Sequence, residues 1–277
     1  MNSRVLWLLS LLTVGTITGC DRSAPPQPTP PLHADRTAEL IFRNECAGKT
    51  ACLTSWNNGE EFASLGIGHF IWYPAGTPET ARRFQESFPE LLAFLAEHGV
   101  ELPHWLQTAT GCPWPDRNVF EDDRDTAHMQ QLRQILQQTM PLQARFMQVR
   151  AAAAFPKLLD ASPDYAHAHL LQQYERVRLS PMGGYALTDY VNFKGEGTNP
   201  RERYHNRGWG LLQVLAEMKG EAVGPDALRE FARAADVVLT RRVRLSPPER
   251  HESRWLPGWR KRLSTYPAEA MRISSDK

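Results

Sequence analysis

From Thr77 onward the sequence keeps returning to one pattern: apolar residues at helical spacing after a polar residue or proline, the first such stretch stopping at Gly99. The stretches "TPETARRFQESFPELLAFLAEHG", "DRDTAHMQQLRQILQQTM", "PLQARFMQVRAAAAFPKLL", "PDYAHAHLLQQYERVRL" and "GPDALREFARAADVVLTRRVRL" all carry it. Only residues 53–73 read as sheet: "SLGIGHFIWYP" sets Gly66 and Gly68 where a turn or bulge is needed and continues into a β-branched and aromatic run. The predicted class is mainly α (α+β), a helical domain with one small β-hairpin. The chain has no internal repeat, no glycine-rich phosphate loop ahead of a helix and no serine nucleophile elbow. Function must therefore be sought in local constellations.

The N-terminus sets the compartment. Residues 1–19, "MNSRVLWLLSLLTVGTITG", place one early cation, Arg4, before an apolar run too short for a comfortable membrane span, and read as an export signal. The run ends in "ITGC", which resembles the lipobox of bacterial lipoproteins, where the cysteine is lipidated and becomes the new N-terminus. That resemblance makes Cys20 a lipid anchor, and Asp21 after it resembles the signal that retains lipoproteins in the inner membrane. Residues 20–35, ending in "DRSAPPQPTPPLHAD", form a proline-rich tether, and 36–277 remain for one elaborated domain of roughly 240 residues. Over the whole chain 32 basic residues face 31 acidic ones, so nothing in the balance points to nucleic acid.

Beyond Cys20 the cysteines are Cys46, Cys52 and Cys112. In an oxidising compartment they allow one disulfide and leave one thiol, with the pairing open. Their spacings match no zinc-ligand pattern, and neither a metal nor a cofactor is expected.

Upstream of the hairpin, "TAELIFRNECAGK" reads as a short helix ending at Gly48, which puts Glu45 at its C-terminus facing the hairpin. This arrangement resembles the lysozyme-like superfamily, in which a catalytic Glu closes a helix and a Gly-Ile-Gly-His hairpin forms the adjoining cleft wall. The resemblance to phage-type lysozymes covers about 30 residues. It implies that Glu45 is the acid, that Ser64 replaces a water-positioning Thr, and that Gly66, Ile67, Gly68 and His69 match directly. The interval from Glu45 to His69 is longer than the phage pattern, and the usual hairpin Asp falls near Asn58. A second segment, "NFKGEGTNPRERYHNRGWGLLQVL", resembles the lytic-transglycosylase signature, with Glu196, Asn199, Pro200 and then Gly210, Leu211, Leu212 and Gln213. There Gly197 replaces the usual Ser, and Gly195 interrupts the helix expected before Glu196. The two blocks together look like a poorly characterised family of bacterial lipoproteins.

Glycosidic cleavage needs a carboxylic acid kept protonated by apolar surroundings, plus a second carboxylate or help from the substrate's acetamido group. The candidate catalytic residues are Glu45, Ser64 and Glu196. The candidate sugar-binding residues are Trp56, Asn57, Asn58, Gly66, Gly68, His69, Trp72, Trp209 and Gln213, the indoles because C–H faces of sugar rings pack on them. The expected activity is cleavage of peptidoglycan glycan strands by a membrane-anchored periplasmic lipoprotein, as a muramidase or a lytic transglycosylase. The rival reading is a non-catalytic lipoprotein that binds murein or a partner through the same cleft; the Asn near the hairpin Asp position favours it, and retention of Glu45 and Ser64 favours the enzyme. Lipidation has a direct check: metabolic labelling with a palmitate analogue should mark the wild type and not Cys20→Ala, and a mark that persists in the variant contradicts the anchor.

Overall fold

A computed structural model describes residues 34–275, so the expected signal segment, Cys20 and most of the tether lie outside the described residues. The chain is mainly helical with one three-stranded sheet. The first helix, α1 (Ala34–Cys46), begins just ahead of the expected domain boundary at Arg36, packs against α6 (Met140–Asp160) and buries Leu40 and Ile41. Each such burial contributes about 2 kcal/mol. Ala47 and Gly48 then take positive φ and end the helix.

The sheet follows at once. Strands β1 (Thr54–Ser55), β2 (Ala63–Leu65) and β3 (Phe70–Trp72) pair antiparallel in that order, with Ser55 opposite Ser64 and Ser64 opposite Ile71. The turn between β2 and β3 is the Gly-Ile-Gly-His segment. Gly66 has φ 69°, and a β-carbon there would lie 2.4 Å from Gln143 Oε1. That oxygen accepts the Ile67 N–H at 2.9 Å, while the Gln143 amide donates to Leu136 O and Thr139 Oγ1. Gln143 is wholly buried, so the bare backbone at Gly66 serves the docking of the hairpin onto α6.

The helical region contains α2 (Phe88–Glu97), α3 (His104–Gln107), α4 (Arg117–Asp122), α5 (Ala127–Gln138), α7 (Asp164–Arg178), α8 (Gly183–Lys194), α9 (Leu211–Glu217), α10 (Pro225–Leu245) and α11 (Leu256–Ser275). One expectation is corrected. The pattern from Thr77 is not one helix, because the segment from Arg82 to Ser87 runs beside β3 before α2 begins. Ser87 N–H donates to Ile71 O, Ser87 Oγ accepts from Ile71 N, and Glu86 Oε1 accepts from Tyr73 N. These bonds satisfy strand-edge groups that a helix could not reach, and Pro89 then fits the first turn of α2.

Among the described residues no helix is long and apolar enough to cross a membrane. The α10 and α11 helices pack together, and α9 contacts α7, α8 and α10. The start of α9 touches the loop after α8 backbone to backbone: a β-carbon on Gly210 would lie 2.2 Å from Gly197 N and 2.6 Å from Glu196 C. Gly210→Ala must therefore separate the two segments, at a cost of about 2 kcal/mol, measured by urea unfolding; an unchanged midpoint contradicts the contact.

Candidate functional site

A cleft of about 510 Å³ opens between the end of α1, the hairpin, α6 and the end of α8. Glu45, Gly68, His69 and Glu196 all line it, with Arg150 and Lys157 from α6 and Asn192 and Phe193 from α8. The helix end and the loop after α8, separated by some 150 residues of chain in the sequence, thus meet in one place.

Glu45 is held by a partner outside the motifs and by two residues within them. Arg262, on α11, donates from Nη2 to Glu45 Oε1 at 2.6 Å, and Asn192 Nδ2 donates to the same oxygen at 3.1 Å. The other oxygen, Oε2, lies 3.8 Å from His69 Nδ1. The apolar surroundings expected for this carboxylate are thus replaced by a guanidinium, an amide and an imidazole.

Behind Arg262 sits Asp189, on α8, with no exposed surface. Arg262 donates to both of its oxygens at 2.8 Å, Tyr266 Oη donates at 2.7 Å and Asn44 Nδ2 at 3.2 Å. Every lone-pair direction of a buried carboxylate needs such a donor, and here three side chains supply them. Burial works against the charge on Arg262, but the attraction and hydrogen bonds of Asp189, with Glu45 behind them, hold its protonation above the ordinary arginine range. Burial, reinforced by the Asp189 charge, pushes the Tyr266 and Tyr185 phenols up, so both stay protonated and able to donate. Asn44 bonds Tyr185 Oη as well, and thereby ties the residue before Glu45 to the same network.

Next to it Lys194 lies between the Phe193 and Trp259 rings, 3.9 and 3.6 Å from their centroids. Burial, then the charges of Arg242 and Arg262, push its amine down to about 6. Arg262 also covers the Phe193 ring at 4.2 Å.

Glu196 faces the cleft with Lys157 Nζ 3.5 Å from its Oε1. Its loop is clamped by Gln213, whose Oε1 accepts the Gly210 N–H at 2.9 Å and whose Nε2 donates to Gly197 O at 3.0 Å. Gln213 therefore acts on the loop backbone and does not line the cleft.

The remaining predicted residues lie elsewhere. Ser64 is buried on β2, its Oγ 3.5 Å from Glu60 Oε2, and Asn57 donates to the same carboxylate oxygen. Asn58 is exposed in the turn before β2. Trp56 packs on Phe120 and donates to Glu60 O. Trp72 is sealed against Phe88 and Trp114. Trp209 is covered by the Arg242 guanidinium at 4.1 Å. Apolar indole area is worth more in a core than on a wet wall, so these tryptophans pack inward. Cys46 and Cys52 form a disulfide directly after Glu45, and Cys112 is a buried free thiol that burial pushes up to about 12.

Asp189, Asn192 and Arg262 were missed from sequence. The one signal for the first two was their i, i+3 spacing on the helix ending at Lys194, which puts both on one face. Asp189→Asn removes the charge that compensates buried Arg262 and should lower stability by about 3 kcal/mol in urea unfolding, whereas a change indistinguishable from an exposed-site control contradicts the network. Comparison with protein-family profiles, with characterised proteins and with solved structures found no match to this chain.

Proposed function

We propose that this protein cleaves the glycan strands of peptidoglycan as a lysozyme-like muramidase or lytic transglycosylase, tethered to the bacterial membrane through lipidated Cys20 and facing the periplasm, with Asp21 favouring the inner membrane. The observation that carries the reading is the meeting of Glu45, the Gly68–His69 end of the Gly-Ile-Gly-His turn and Glu196 on one open cleft, whereas Gly66 is turned to Gln143 and does not line it. In this reading Glu45 must first take up a proton on Oε2, the oxygen turned toward His69, against the Arg262 pairing at Oε1, and then pass it to the leaving oxygen. Glu196 acts as the second carboxylate or shapes the neighbouring subsite, and its ion pair with Lys157 supports the latter role as well.

A second reading has its own support. The direct pairing of Glu45 with Arg262 suits a cleft that binds murein without cutting it. Peptidoglycan zymography separates the two. Glu45→Gln keeps the shape but delivers no proton, so cleavage should fall by about two to four orders of magnitude with folding preserved. Anhydro-muramyl ends then identify a transglycosylase and reducing ends a hydrolase. Wild-type activity in Glu45→Gln contradicts the proton-donor assignment, and a wild type that sediments with murein but releases nothing favours the binding protein.

A further inference from the structure

The Cys46–Cys52 disulfide follows Glu45 directly in the chain, and His69, which lines the cleft, reaches the Cys52 sulfur. His69 Nε2 is 3.4 Å from Cys52 Sγ, while Nδ1 on the other side of the ring faces Glu45 Oε2 at 3.8 Å. The sulfurs of Cys46 and Cys52 and a His69 ring nitrogen all lie within 4.8 Å of one another. The spacing hides this, because Cys46 ends α1, Cys52 sits on a 3-10 turn over Thr50–Leu53, and His69 closes the β2–β3 turn.

Two thiolates and an imidazole make a donor set for a borderline-soft divalent cation. With Zn–S near 2.3 Å and Zn–N near 2.0 Å at tetrahedral angles, adjacent sulfur and nitrogen ligands lie about 3.5 Å apart. The separation of Cys52 Sγ and His69 Nε2, 3.4 Å, fits that value. A carboxylate hydrogen-bonded to the far nitrogen fixes the tautomer of a metal-bound histidine, and Glu45 Oε2, 3.8 Å from that nitrogen, is a short shift away from making the bond. His69 keeps 32% of its side-chain surface, which leaves an approach from solvent. Three protein ligands leave one position of four for water or another small ligand.

We propose that the reduced form of this pair is a metal site: Cys46, Cys52 and His69 bind one zinc-like divalent cation, with Glu45 orienting the imidazole. A dithiol reductant gives two electrons and two protons to the Cys46–Cys52 bond and is itself oxidised to a disulfide. The cation then displaces the two thiol protons, and the dithiolate cancels its double charge. Disulfide and metal complex are alternative states of one donor set. Cys112 takes no part, being a buried thiol pushed up to about 12. The site stands independently of glycan cleavage, although it shares His69 and Glu45 with that cleft.

The test uses the full chain with Cys20→Ser and Cys112→Ser, so that Cys46 and Cys52 carry the only thiols. The protein is reduced anaerobically with a phosphine and titrated with Co²⁺, then with Zn²⁺. The expected result is sulfur-to-cobalt charge-transfer absorption with tetrahedral d–d bands, saturating at one equivalent and reversed by Zn²⁺. The oxidised protein and Cys52→Ser should lack these bands, His69→Gln should weaken binding by at least about tenfold, and Glu45→Gln by about tenfold with the bands retained. No thiolate band at one equivalent overturns the proposal, as does unchanged affinity in His69→Gln. Should circular dichroism show that reduction unfolds the chain, one equivalent of Zn²⁺ must restore the fold, and failure to do so overturns it equally.

Discussion

The Asp189–Arg262 pair is the interaction on which the arrangement of the cleft depends. It joins α8 to α11 inside the protein, and the same guanidinium reaches out to Glu45 at the end of α1. A buried pair of this kind adds little net stability when complete, because desolvation offsets much of the attraction. Its consequence is geometric. With Asp189 satisfied by Arg262, Tyr266 and Asn44, the guanidinium has one place to stand, and Glu45 Oε1 is fixed by it. A carboxylate otherwise free to rotate at a helix end is thereby presented to the cleft by its second oxygen. Preorganisation of this sort is what a proton donor or a ligand-binding group needs.

Much of the framework was legible in the sequence, and the reasons are local. Helices α5, α6, α7 and α10 follow from apolar spacing, and the capping of α5 by Thr126 is a short-range hydrogen bond readable from residue type. The hairpin followed from glycines flanking a β-prone run. The helix expected from Thr77 misled because its periodicity was real only from Phe88 onward, while the residues before it answer to strand β3. Helix α11 escaped notice because Pro257, Gly258 and Pro267 interrupt its pattern, although Pro257 fits a first turn and Trp259, Leu263, Tyr266 and Ala270 face the core.

The candidate site was legible only in part for the same reason. Glu45, His69 and Glu196 sit in motifs a few residues long, and the fold brings them to one cleft. Arg262 lies 217 residues from Glu45, and no local pattern couples them. The tryptophans were misplaced by chemistry rather than distance: residue type gives an indole's capacity to stack on a sugar, but the packing of a small sheet against α2 and α4 decides which face is left open, and for Trp56 and Trp72 none is. The grouping of Cys46, Cys52 and His69 was likewise invisible, since the three residues come from a helix end, a turn and a hairpin.

The proposed glycan cleavage rests on a cleft lined by a fixed carboxylate, Glu45, and by a clamped loop bearing Glu196. The most direct measurement is a crystal structure of the Glu45→Gln chain soaked with a tetrasaccharide of alternating N-acetylglucosamine and N-acetylmuramate. The account predicts a glycosidic oxygen within about 3 Å of the residue 45 side chain, with a neighbouring sugar against Glu196 and Lys157. Saccharide bound elsewhere, or none in a cleft otherwise unchanged, contradicts it.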